Sequence, residues 1–135
     1  MSQSATAVVE DFLAKLQAND LEGAFALLDD DVVYENVPFP PARGKRAAIK
    51  LLKSFMPHFQ EFRVTMHNIA ERDGVVLTER TDVLSGRFLY LDIWVCGTFE
   101  VRDGKITVWR DRFDLVESTV KLFTGPFRKV LGLVR

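Results

Sequence analysis

The chain has 135 residues, a length that suits one domain whose core needs no disulfide or metal to hold it. With 47% hydrophobic and 27% charged residues, it has the make-up of a soluble globular protein. Its formal net charge of −1, with lysines and arginines scattered, excludes an electrostatic case for nucleic acid or an anionic membrane surface.

The single cysteine, Cys96, excludes an internal disulfide and any multi-cysteine metal site. His58 and His67 are too few to build a metal centre by themselves, so neither a metal nor a cofactor is expected. Eleven phenylalanines against two tyrosines and two tryptophans form the one skew. Phenylalanine supplies apolar area without a polar handle, which suits a core or a hydrophobic ligand pocket.

At the start of the chain, "MSQSATAVVEDFLAKL" meets acidic residues too early for a signal peptide. No run is long enough to span a bilayer, and the expected compartment is the cytoplasm. Val8, Val9, Phe12, Leu13 and Leu16 recur at helical spacing behind Ser4, a candidate N-cap. A short second helix is expected in "NDLEGAFALL", capped by Asn19 or Asp20, with Leu21, Phe25 and Leu28 on one face. "DDDVVYENV" reads as a brief strand that "PFPPARG" stops, because proline donates no ladder hydrogen bond. Ala48, Ile49, Leu52 and Phe55 mark a third helix from Lys45 to about Phe55, and the basic "RGKRAAIK" is its start.

Beyond that helix the pattern is β. "EFRVTMHNIAER" and "GVVLTERTDVL" flank Asp73-Gly74, and "FLYLDIWVCGTFEV" and "KITVWRDRFDLV" flank Asp103-Gly104, two strong hairpin signals. Cys96 lies in the apolar run "LDIWVCGTF", where a small buried hydrophobe is expected. No repeat, linker or low-complexity segment divides the chain, so residues 1–135 are expected to form a single domain. Helix, helix, strand, helix and then four antiparallel strands argue for an α+β fold. In it, a curved, mostly antiparallel sheet wraps the N-terminal helices and encloses an apolar pocket.

Strand periodicity sorts the polar residues by face. Arg80 and Asp82 share a face with Val76, Thr78 and Leu84, which fits a surface ion pair or half of a site. In the last strand Thr107, Trp109, Asp111, Phe113 and Leu115 share one face, with Arg110, Arg112 and Asp114 on a solvated one. Asp111, set between Trp109 and Phe113, must be paired or protonated if it faces the core. In the first strand Val32, Tyr34 and Asn36 share a face, so a phenol and an amide converge with the rest.

The inner set is therefore Tyr34, Asn36, Arg80, Asp82 and Asp111. A guanidinium can hold two carboxylates at once, and such a group keeps one proton between the two and titrates as a unit. One carboxyl then serves as acid while the other stays ionised as base, the pairing that a concerted hydrolysis needs. Tyr34 and Asn36 add a donor and an acceptor for a water beside the base.

"YENVPFPP", "LTERTD" and "WRDRFD" together resemble the limonene-1,2-epoxide hydrolase family, a branch of the NTF2-like (cystatin-like) cone folds, in order and spacing over nearly the whole chain. The family's Tyr-x-Asn falls on Tyr34 and Asn36, its Glu-Arg-x-Asp on Arg80 and Asp82, and its Trp-Arg-Asp on Asp111. The resemblance implies a one-step, cofactor-free opening of lipophilic, limonene-type epoxides to vicinal diols. Asp111 would act as base on a water also held by Tyr34 and Asn36, Asp82 as acid, and Arg80 as the bridge between them. It also implies a homodimer whose partners are a small apolar epoxide and water. Two features depart from the family pattern. Arg112 stands where tyrosine is common, and the tail "KLFTGPFRKVLGLVR" extends further, with Phe127, Val130, Leu131 and Val134 at helical spacing. Covering the pocket, packing between subunits and fraying are all open to that tail.

Two other classes compete. One is a ketosteroid-isomerase-like proton shuttle, with an Asp base opposite a hole of Tyr and protonated Asp; it has no need of a bridging arginine. The other is a non-catalytic small-molecule binding module, for which the five polar groups should not converge. No Ser/His/Asp set, Gly-rich phosphate loop or basic aromatic patch can be assembled.

Overall fold

The structure, a computed structural model, describes residues 4–132. The first helix, α1 (Ala5–Gln17), starts where Ser4 accepts a hydrogen bond from the Ala7 amide, and it buries Val8, Val9, Phe12, Leu13 and Leu16. The next, α2 (Leu21–Phe25), is capped by Asp20 rather than Asn19, whose own φ of 58° makes the turn between the helices. Leu28 is the first residue of strand β1 (Leu28–Val37) instead of the end of that helix. At ten residues β1 is longer than the brief strand expected, and it ends at Val37, just before Pro38.

A two-residue strand β2 (Ala42–Arg43) follows, then α3 (Lys45–Phe55) and a 3₁₀ turn over Met56–His58. The rest is a meander of β3 (Glu61–Arg72), β4 (Val75–Ser85), β5 (Tyr90–Arg102) and β6 (Lys105–Phe113), closed by helix α4 (Leu115–Val130). Asp73-Gly74 and Asp103-Gly104 have positive φ at both positions, the geometry that a tight two-residue hairpin requires.

The six strands form one sheet in the order β2-β1-β6-β5-β4-β3. Every pairing is antiparallel except β1 with β6, which run parallel. That parallel seam is what carries the first strand to the far end of the meander. The α+β architecture and the curved, mostly antiparallel sheet thus agree with the pattern of the sequence. α1 packs on the concave face, where the Phe12 ring meets Trp109 edge-on at 4.9 Å and Phe99 at 6.3 Å.

Three local expectations are corrected. Cys96 is exposed, because on β5 it is Val95, Gly97 and Phe99 that point inward. Thr107 falls at a register shift opposite Glu100/Val101, so Ile106 and Trp109 are buried and Thr107 is not. Leu115 opens α4 instead of extending the last strand. Val134 lies outside the described residues, while Phe127, Val130 and Leu131 lie on or just past α4 and are exposed.

Candidate active site

Along β4 the strand period buries Val76, Thr78, Arg80, Asp82 and Leu84 together. Arg80 is 1% exposed, so its charge is out of reach of water and has to be met by protein groups. Its Nε donates to Asp82 Oδ1 at 2.8 Å and its Nη2 to Asp82 Oδ2 at 3.1 Å, a two-pronged clamp. The same Nη2 lies 2.9 Å from Oδ2 of Asp111, which comes from β6 two strands away. Nη1 donates to Thr78 Oγ1 at 3.0 Å, and that hydroxyl donates in turn to the Gly97 carbonyl at 3.3 Å. Arg80 and Asp82 are therefore no surface pair; they are the buried half of a bridge.

Asp111 is held from a second side, since Trp109 Nε1 donates to its Oδ2 at 3.1 Å. Its Oδ1 is buried and accepts no hydrogen bond from the described residues. The register across the parallel seam sets Tyr34 beside Trp109 and Asn36 beside Asp111, and the Tyr34 and Trp109 rings stack at 4.0 Å. All five residues singled out in the sequence thus converge, with Arg80 behind Asp82 and Asp111.

One guanidinium against two carboxylates leaves a net negative charge or one shared proton. Burial alone would lower the Arg80 pKa, but the charges of Asp111 and Asp82 more than offset that, and the guanidinium stays protonated. Burial pushes the Asp82 carboxyl up to about 6, against the pull of Arg80 and with help from the charge on Asp111. Burial, reinforced by Asp111, also raises the Tyr34 phenol, so it is a proton donor in hydrogen bonds and not a base.

Asp82, Asp111, Tyr34 and Asn36 face a cavity of about 590 Å³. Its other walls are apolar: Leu51 and Phe55 of α3, Phe62 of β3, Leu84 of β4, Val95 of β5 and Phe113 of β6. Helix α4 contributes Ser118 and Leu122 to a wall of the cavity, and of the tail that begins at Lys121 it is Leu122 that lines it. Among the described residues no group of histidine, cysteine and acidic side chains is arranged to hold a metal ion. Three neighbours escaped the reading of the sequence: Thr78 and Gly97, which surround Arg80, and Trp109 as a hydrogen-bond donor. Thr78 and Trp109 lie on the correct inner faces and were available as signals. Gly97 carried none, because a missing side chain matters only once its opposite numbers are known.

The family model described as the limonene-1,2-epoxide hydrolase catalytic domain matches residues 3–123. The chain belongs to the limonene-1,2-epoxide hydrolase family. It is 44% identical over 126 residues to epoxide hydrolase EphG of Mycobacterium tuberculosis (strain ATCC 25618 / H37Rv), a match covering 93% of this chain and 81% of that protein. A solved structure of an M. tuberculosis epoxide hydrolase of the same type superposes with a TM-score of 0.85 at 43% identity, covering 95% of this chain and 96% of the other. An NTF2-like protein of unknown function from Burkholderia pseudomallei K96243 superposes with a TM-score of 0.77, covering 90% and 98% of the two chains. At 18% identity that likeness shows the NTF2-like fold alone. Epoxide hydrolysis is the reaction class that membership of this family carries.

Proposed function

We propose that the chain opens lipophilic epoxides, of the limonene type in shape and polarity, to vicinal diols by one direct attack of water. Asp111 draws a proton from the water as its oxygen bonds to a ring carbon. The C–O bond on that carbon breaks in the same step, and Asp82 gives its proton to the departing epoxide oxygen. Arg80 holds both carboxyl groups, so the negative charge that moves between them stays beside one cation. Tyr34 and Asn36 orient the water. After the step Asp111 carries a proton and Asp82 does not, and exchange with solvent restores the starting state. No metal or organic cofactor enters the scheme.

The observation that carries this reading is the single Arg80 guanidinium bonded to both Asp82 and Asp111 on the wall of an apolar cavity. An acid with a pKa of about 6 beside a second carboxyl is suited to donate a proton near neutrality. The apolar walls favour a substrate with one polar atom and a hydrocarbon body.

The test is a single turnover of a lipophilic epoxide in water enriched in heavy oxygen. Direct attack puts the label in the diol and none in the protein. Label recovered in the Asp111 peptide would mean a covalent ester and overturn the one-step scheme. No diol, with a double-bond-shifted ketone formed from an enone, would assign the site to proton-shuttle isomerisation instead.

A further inference from the structure

Gly97 on β5 lies opposite Thr78 of β4 and opposite Asp111 of β6. A Cβ at this position would stand 2.3 Å from Arg80 Nη1, 2.7 Å from Thr78 Oγ1 and 2.9 Å from Asp111 Oδ1. All three distances are shorter than real Cβ contacts, and the atoms belong to Arg80, to Asp111 at one end of the bridge, and to Thr78, which accepts from Arg80 Nη1. Arg80 starts on β4 and Asp111 on β6, so the guanidinium has to cross β5 to reach its second carboxylate. It crosses at Gly97. The residue has no positive φ that would call for glycine, and glycine inside a strand costs backbone entropy without side-chain packing in return. Its inward neighbours Val95 and Phe99 are bulky and buried.

We infer that Gly97 is a positioning residue: the absence of a side chain there is what lets the Arg80 guanidinium lie across β5 and hold Asp82 and Asp111 together. The inference rests on the reading of that set as the acid and base of epoxide opening. Neither Gly97, Thr78 nor Arg80 lines the cavity. A change at Gly97 therefore acts on the reacting groups and leaves the walls that bind the hydrocarbon body untouched.

Gly97→Ala tests this, because alanine suits an extended backbone and adds only the Cβ. The expected result is a fall in kcat of about 10²-fold with KM changed by less than about twofold, as for a misplacement of catalytic groups by a fraction of an ångström to an ångström. In an Arg80→Lys background the shortest of the three clashes is removed while those with Thr78 Oγ1 and Asp111 Oδ1 stay, so the same substitution should cost roughly tenfold less than in the parent chain. Near-native kcat in Gly97→Ala, or an equal loss in both backgrounds, overturns the inference. The crystal structure of the variant gives a readout independent of activity. Opening of the Arg80 Nη2 to Asp111 Oδ2 distance from 2.9 Å supports the inference even if no epoxide proves to be a substrate, and an unchanged distance sinks it. Should Gly97→Ala fail to fold, recovery of the fold in Gly97→Ala/Arg80→Lys supports the inference, and failure of both overturns it.

Discussion

Trp109 donates its indole N–H to Asp111, two residues ahead on the same strand, at 3.1 Å. The acceptor is the oxygen that Arg80 also touches, so two donors converge on Oδ2 while Oδ1 accepts from none among the described residues. Trp109→Phe would keep an aromatic ring between Tyr34 and Phe12 and delete one donor to a charged acceptor, a contact worth about 1.5–3 kcal/mol. Steady-state kinetics should show kcat lower by roughly 10- to 100-fold with the fold retained. An unchanged kcat would remove the indole from the catalytic arrangement.

Asp111→Asn and Asp82→Asn each delete a protonation state that the proposed step uses. Each should lower turnover by at least ~10²-fold, with a far-ultraviolet circular dichroism spectrum like that of the parent chain. Near-native turnover in either variant would reverse the assignment of roles.

The Asp82 carboxyl, raised to about 6, gives the reaction a pH dependence of definite sign. As an acid it works only when protonated, so kcat/KM should fall about tenfold per pH unit above ~6. The apparent value belongs to the Asp82–Arg80–Asp111 set as a whole. A rate that instead rises through pH 6 to a plateau would mean that the rate-controlling group acts as a base.

Stability should follow the same carboxyl. Its folded-state value lies above its ordinary 3.8, so the fold holds the proton while the unfolded chain has already released it. The stability from this group is therefore present below about pH 3.8, declines as pH rises to about 6, and stays lost above that. Asp82→Asn removes the cost of ionisation. Its Tm should exceed that of the parent chain at pH 8, and the two should converge near pH 4. A variant less stable at pH 8 would show that the ion pair outweighs the burial of its charge.

Gly125 of α4 is a contact point between helix and sheet: a Cβ there would stand 1.8 Å from the Tyr90 carbonyl oxygen. Gly125→Ala should push α4 off β5 and cost about 1–3 kcal/mol, read as a lower Tm. Because Ser118 and Leu122 of the same helix wall the cavity, the ranking of epoxides by size should change with it. An unchanged Tm and ranking would show that α4 adjusts without moving that wall.

Much of this arrangement was legible in the residues. The Asp-Gly turns and the Ser4 cap are local signals, and a period of two assigned Arg80, Asp82 and Asp111 to inward faces without knowledge of their partners. Cys96 was misread because an apolar run such as "LDIWVCGTF" does not reveal which parity points inward, and only pairing with β4 and β6 decides that. Thr107 was misread because a bulge shifts the parity in mid-strand. The helical spacing of Phe127 and Val130 agrees with α4, which runs through Gly125-Pro126. The parallel pairing of β1 with β6 left no local mark, since it depends on residues far apart in the chain.

That seam has a consequence for biosynthesis. Asn36 meets Asp111, and Glu35 meets Arg110 in a salt bridge, each pair 75 positions apart in the chain. Hairpins such as β3–β4 can form from neighbouring segments as soon as they leave the ribosome, whereas this pairing waits until β6 has been made. Until β6 emerges, Tyr34 and the Phe12 face of α1 lack the Trp109 ring that packs on them, and the nascent chain exposes a sticky surface. Truncation before Lys105 should therefore yield an aggregation-prone species with the β3–β4 hairpin in place and no site at all.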